Sequence, residues 1–232
     1  FETGFQSVTI RSANFTVISS GKPLRSDSPL VLMSCTASGP GTCIDAENGL
    51  TASNLKTTNC GLGVFSQNET LLDGVEISGG TIGLQIATGA VTIKNLLIHD
   101  TTDHAAEFQS NATGSVSFST FANCGLPNGT TARAVTCGNG MSLVSSIVWA
   151  PGTVSEVPIA GCAIATSIAG PTALSGTPNS DPLFVDAAGK NYHLQAASPA
   201  VDAVVSGPAT DLDGISRPQG AKFDLGAYEY KP

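Results

Sequence analysis

His99-Asp100-Thr101-Thr102-Asp103-His104, with Glu107 close behind, is the densest group of titratable side chains in this chain. Two imidazoles and three carboxylates are the types that ligate a metal or take up and return a proton. The same composition also suits a solvated polar turn, and the run follows an apolar stretch at 93–98 as a turn would. A second acidic group is Asp211-Leu212-Asp213-Gly214, with Asp224 downstream. Asp-x-Asp-Gly supplies hard oxygen ligands and a sharp turn for calcium. The third ligand position and the terminal Glu of an EF-hand loop are missing. The simpler reading pairs these acids and Glu229 with Arg217, in a network that fixes an irregular chain. No cofactor is expected beyond calcium as a candidate.

There is no P-loop, no dinucleotide-binding glycine frame, no HExxH and no GxSxG. Trp149 and the tyrosines could stack sugars, although a Trp at the end of an apolar strand also suits core or cap packing. His193, in Tyr192-His193-Leu194, reads as structural.

The elements that would position these groups are short strands and turns. The chain has 232 residues, 26 of them Gly, and only 12% are charged. That balance favours tight turns over long solvated helices. A net charge of −8 leaves no basic footprint for nucleic acid or anionic lipid. No apolar run is long enough to span a membrane. The sequence starts at Phe1 without a signal peptide, and is read as a mature or trimmed piece of a secreted precursor. Sequons occur at Asn14, Asn68, Asn111 and Asn128.

The early runs Val8-Thr9-Ile10, Phe15-Thr16-Val17-Ile18 and Leu30-Val31-Leu32 read as strands, and the Gly/Pro-rich stretch 35–43 as a loop. A repeat starts at 52. Its five units, 52–57, 72–77, 93–98, 118–123 and 144–149, are anchored on Leu55, Val75, Leu96, Phe121 and Ile147. A second apolar run follows each anchor: Val64-Phe65, Leu84-Gln85-Ile86, Ala106-Glu107-Phe108, Ala134-Val135 and Ala163-Ile164. Anchor spacings in the low to mid twenties fit one β-helix coil with loops that lengthen toward the C-terminus. Such strands gain a core only by stacking coil on coil, about 4.8 Å apart. A β-sandwich is disfavoured, because the repeat keeps one phase and no two-residue hairpin turns link alternating strands.

The segment 181–230 breaks this phase. It carries Asp181-Pro182-Leu183-Phe184-Val185-Asp186, then Ser198-Pro199-Ala200-Val201-Asp202, then Asp211-Leu212-Asp213-Gly214, Arg217-Pro218 and Asp224-Leu225-Gly226-Ala227-Tyr228-Glu229. This pattern resembles the C-terminal part of choice-of-anchor Q domain proteins, bacterial surface proteins of the pectate-lyase-like type. The resemblance implies a right-handed parallel β-helix and a location on the cell surface. The expected organisation is all-β, with coils over 1–176 and an irregular capping segment over 177–232 that covers the open edge of the last coil.

Six cysteines in such a chain suggest disulfides. Cys60 and Cys124 share a phase but lie three coils apart, too far to bond. At most two local disulfides and at least two free thiols are expected. Cys35–Cys43 is the first candidate; Cys124–Cys137 competes with Cys137–Cys162.

Relatives of this architecture that act on polysaccharides need stacked carboxylates, or calcium with a basic residue. Paired glycosidase carboxylates stand about 5–9.5 Å apart, which here means adjacent coils at one phase. Asp73 and Glu76 face Ser53 and Lys56 one coil earlier, and Lys94 and Leu97 one coil later. Polygalacturonase-type motifs are absent. The chain therefore reads as a non-catalytic module, secreted or on the cell surface, for adhesion or for binding an extracellular polysaccharide or surface protein. It is expected to be a monomer. The alternative is a polysaccharide lyase or glycoside hydrolase, with His99, Asp100, Asp103, His104 and Glu107 as the candidate site.

Overall fold

The computed structural model describes residues 8–16, 24–125, 134–150 and 158–232. These form parallel strands stacked into a solenoid, with no helix, so no helix is long and apolar enough to cross a membrane. Each coil has three faces. The first stacks Leu24–Ser26, Thr42–Ala46, Leu62–Ser66, 82–86, 106–108, Val135–Cys137 and Ile159–Ala160. The second stacks Val8–Arg11, Leu30–Met33, 50–53, 70–73, 91–94, 114–117, Met141–Val144 and Ala163–Ala165. The third stacks Asn14–Thr16, Thr36–Ser38, 56–58, 75–78, 96–99, Thr120–Ala122, Ile147–Trp149 and Ile168–Gly170. The parallel β-helix expected from the repeat is thus the observed architecture.

Alternation of apolar and polar residues sets each strand's facing. In Leu50–Thr58, Leu50, Ala52, Leu55 and Thr57 are buried, while Thr51 and Lys56 are exposed. The phase skips between Ala52 and Leu55 because Asn54 has φ 50°, a left-handed bend that carries the chain from the second face to the third. The same bend recurs in every coil, at Ser12, Ser34, Asn54, Gly74, Asn95, Phe118, Ser145 and Thr166. Small polar residues tolerate this conformation best, and Gly without strain.

Three expectations need correction. The stretch 35–43 is not one loop, since it contains Thr36–Ser38 and the start of Thr42–Ala46. The anchors Leu55, Val75 and Leu96 do stack, but Phe121 stacks on Ile98 and Ile147 on Thr120. The Leu96 column continues instead through Ser119, Ser146 and Ser167. Each hydroxyl accepts the amide of the column residue one coil earlier: Leu96 N–H to Ser119 Oγ (3.3 Å), Ser119 N–H to Ser146 Oγ (3.2 Å), Ser146 N–H to Ser167 Oγ (3.1 Å). Each also donates to a carbonyl two residues back in its own coil. A hydroxyl paired on both sides can be buried at little cost, so an apolar pattern search passes over it. Ala163-Ile164, finally, lies on the second face; the first-face strand of that coil is Ile159–Ala160.

The cysteines form two disulfides, Cys43–Cys60 and Cys137–Cys162, leaving Cys35 and Cys124 free and buried. The counts of bonds and free thiols match expectation, and so does the Cys137–Cys162 alternative. Cys35–Cys43 and Cys124–Cys137 do not form, and Cys60 is a partner. One coil spans about twenty residues, so a cysteine meets a partner in the next coil; the separations are 17 and 25. Cys35 points into the core under the third face, where its thiol approaches the Met33 carbonyl at 3.4 Å.

The tail lies mainly along the flank of the solenoid. On the third face the outward column reads Thr36, Lys56, Glu76, Leu97, Thr120, Ile147, Ile168, turning from polar to apolar halfway. Leu97, Ala122, Ile147 and Ile168 pack there against Phe184, Tyr192, Leu194, Ala200, Leu225, Ala227 and Tyr228. Phe184–Asp186 and Asn191–Leu194 form an antiparallel hairpin within this layer. Gly226 lets the main chain lie directly on the sheet. Its amide reaches the Ser145 carbonyl (3.0 Å), and the next amide reaches Thr120 Oγ1 (2.9 Å). Nearer the end of the stack, Leu174 packs on the solenoid core and the Ala169 amide bonds the Pro178 carbonyl.

Candidate functional site

The acidic tail motifs are taken up in holding this layer. Asp211 Oδ1 accepts the amides of Asp213 (3.0 Å) and Ile215 (2.8 Å), and its Oδ2 accepts that of Glu229 (2.9 Å). Asp224 accepts the amides of Asp202 (2.7 Å) and Tyr230 (2.6 Å). Burial raises the Asp224 carboxyl above its ordinary range, and those amides pull the other way. Asp213 turns aside to His193 Nε2 at 2.8 Å. Arg217 is buried; it donates to Glu229 (3.1 Å) and to the carbonyls of Asp224 and Gly226, and its guanidinium stands 5.3 Å from the centre of the Phe118 ring. Of the acids expected around Arg217, Glu229 alone forms an ion pair with it; Asp211 and Asp224 accept main-chain amides instead, and Asp213 lies apart on His193. Carboxylates stand in for strand partners that an irregular chain lacks.

The His99–Glu107 group separates into three places. His99 and Asp100 end the third face beside the tail. Asp103 and His104 pair with each other in the turn before the first face (2.8 Å). Glu107 lies on the first face and accepts from Gln85 (2.8 Å). Residues outside the predicted group complete the His99 cluster: Lys56 and Glu76 from earlier coils, Asn123 from the next, and Lys190 and Tyr192 from the tail. His99 is only 4% exposed. Its Nδ1 is 2.7 Å from Asp100 Oδ2, and its Nε2 is 3.6 Å from Glu76 Oε1. Lys56 Nζ holds Glu76 at 2.8 Å, and the Tyr192 ring covers the imidazole at 5.0 Å between centroids. Asp100 also receives Asn123 Nδ2, Lys190 at 3.4 Å and the Tyr192 hydroxyl at 3.5 Å.

These contacts set the charges. His99 is the largest influence on Glu76 and holds its carboxyl below the ordinary range; burial opposes, and Lys56 adds to the lowering. For Asp100, burial pulls upward most strongly, but His99, Asn123 and Lys190 together leave it low. Burial pushes the Tyr192 hydroxyl up, with Asp100 adding to the effect. Both carboxylates are therefore held as anions around a covered imidazole. Among the described residues, no group of His, Cys, Asp and Glu is arranged to hold a metal ion.

Beside this cluster opens a cleft of about 220 Å3 between the hairpin and the coil corner. Trp149, Phe184 and Tyr192 are its aromatic residues; Ala122, Ala187 and Ala188 leave the space, and Asn123 stands at the rim. The Trp149 ring rests on Gly170, where a Cβ would come within 2.3 Å of it. Sequence reading left Trp149 between sugar stacking and packing, and missed the cleft because half of it comes from the tail. A second groove, of about 370 Å3, is lined by residues that include Pro29, Asn48, Asn68 and Glu69. There Asn68 Nδ2 donates to Asn48 Oδ1 (3.0 Å), linking consecutive coils.

No protein-family model matches the chain, and no curated protein or solved structure matches it either.

Proposed function

We propose that this chain is a non-catalytic module of the cell surface or extracellular space that binds glycan or protein. The observation that carries this reading is the covering of His99. The one imidazole set between two carboxylates is shut under Tyr192, while the accessible space next to it is a mainly apolar cleft beside Trp149. Proton transfer to a substrate needs the acid or base within hydrogen-bond reach of the reacting atom. Binding asks only for shape, apolar area and a few oriented polar groups. Two disulfides fit an oxidising compartment. The tail's resemblance to choice-of-anchor Q proteins belongs to the same proposal and would assign the module to a bacterial surface.

A panel of acidic and neutral polysaccharides and surface extracts, with calcium and with chelator, tests the reading. Retention without new reducing ends or unsaturated products is expected. Turnover lost in His99→Ala or Asp100→Ala would replace it with the lyase or hydrolase alternative. Turnover that survives both would also overturn it, and would put catalysis elsewhere on the solenoid.

A further inference from the structure

We propose that the cleft bounded by Trp149, Phe184, Tyr192 and Asn123 binds one uncharged pyranose ring of a glycan. This rests on the recognition reading above and gives it a site and a ligand class.

Three observations lead there. The first is shape. The cleft, about 220 Å3, has three alanines among its seven lining residues and room for a single ring of six heavy atoms and its substituents. The second is its two-sided chemistry. Apolar carbon dominates the lining: Trp149 is half-buried, Ala187 and Ala188 are exposed, and the buried Phe184 and Tyr192 back them, while Asn123 brings an exposed polar side chain. A pyranose has the same division: an apolar C–H face that packs on an aromatic ring, and hydroxyls around the edge. Asn123 is exposed, and its amide nitrogen is spent on Asp100. Its carbonyl oxygen can accept from a sugar hydroxyl, which is the partner an acceptor at this position calls for.

The third observation is charge. A free carboxylate beside aromatic rings would select a cation, and a free lysine an anion. Neither is free here. Asp100 is met by His99 at 2.7 Å and by Lys190 at 3.4 Å, so the rim carries balanced charge. An anionic sugar would meet the Asp100 carboxylate, and a cationic one would compete with Lys190 for it. The neutral ring displaces no ion pair. The ligand class thus follows from an electrostatic balance that the tail creates when it lays Lys190 and Tyr192 against the third face.

Trp149 is the single tryptophan of the chain, so fluorescence excited selectively at tryptophan reports on the surroundings of this cleft residue. Methyl glycosides of glucose, galactose, mannose and N-acetylglucosamine are the probes, with galacturonate and glucosamine as charged counterparts. A saturable shift is expected with at least one neutral glycoside, at a Kd on the order of millimolar, because one ring buries few atoms. The charged counterparts bind more weakly. Asn123→Ala weakens binding at least about fivefold, the value of a lost hydrogen bond. Ala188→Phe, on the exposed hairpin tip, fills the cleft and abolishes the shift at unchanged Tm. No saturable response to any neutral glycoside at about 50 mM, ten or more times the expected Kd, overturns the proposal. So does preference for a charged sugar, or an Ala188→Phe variant that binds as before. If polysaccharide is retained while Trp149 stays silent, the cleft assignment fails and the recognition module stands. If Trp149 responds and products also appear, the cleft stands and the non-catalytic reading fails.

Discussion

His99 lies between Asp100 and Glu76 and beneath Tyr192, so its chemistry is turned inward. Glu76 shows what this does to stability. Its folded pKa is lowered, so its contribution is fully present above the unfolded value of about 4.3 and is lost as pH falls through the folded value. Glu76→Gln is therefore expected to lower stability by about 1 kcal/mol at pH 7, given its partial exposure. The gap in Tm between variant and parent should hold steady above the ordinary glutamate range and narrow as pH falls below about 4.3. A gap that stays constant through that fall would show that Glu76 acts through packing. Cys124 is a second test at this scale. Burial pushes its thiol up to about 11, so little thiolate exists at pH 8 and alkylating agents have no path to it. Native protein should resist alkylation, and unfolding without reductant should release two reactive thiols, which peptide mapping would assign to Cys35 and Cys124.

At the scale of elements, the bend between second and third faces is the repeated device, and Phe118 is its instructive exception. A bulky residue with φ 47° is strained. It is held there because its ring lies under Arg217 and close to Gly207, so the tail stabilises a conformation the coil alone would resist. Gly226 makes the reciprocal contact. A Cβ there would stand 2.6 Å from Thr120 Oγ1 and 2.8 Å from Ile147 Cδ1, and φ is +86°. Gly226→Ala should cost roughly 2–3 kcal/mol from clash and backbone strain together. It should also make the 181–232 segment the first site of limited proteolysis. Equal protease resistance in variant and parent would mean that the tail is not seated by this contact.

For the whole molecule, stability comes from stacking, and two devices keep the stack together. Each disulfide ties one coil to the next. Loops of 17 and 25 residues correspond to about 3 kcal/mol each on the chain-entropy account. Reductant should therefore lower Tm cooperatively, and Cys43→Ser with Cys60→Ser should reproduce part of that loss in non-reducing buffer. The other device is the tail. Removing 181–232 would bare Leu97, Ala122, Ile147 and Ile168 side by side on the third face. Such a patch drives association, so the truncated protein is expected to run as oligomer or aggregate in light scattering. A monomer with unchanged melting would show that the tail is not needed to cover that face.

Leu55, Val75 and Leu96 were legible in the sequence as one column, because an apolar residue at a fixed interval has a single physical use in a strand too short to fold alone. The solenoid followed from them, as did the exclusion of Cys60–Cys124 and the mismatch of Asp73 and Glu76 with their stacked neighbours. The Arg217–Glu229 pair was legible too, since a lone arginine among acids in an irregular segment has few other partners, but Asp211 and Asp224 went to main-chain amides that only the folded tail presents. Ser119, Ser146 and Ser167 were not. Their burial depends on hydrogen bonds to the neighbouring coils, which no local pattern displays. Cys43–Cys60 required the rise and length of each coil, not the distance along the chain. The cleft and the His99 cluster needed most: Lys190 and Tyr192 come from a segment some ninety residues after Asp100. Periodicity determines which way a side chain faces; which side chains meet across the outer surface is decided only when the tail packs on the third face.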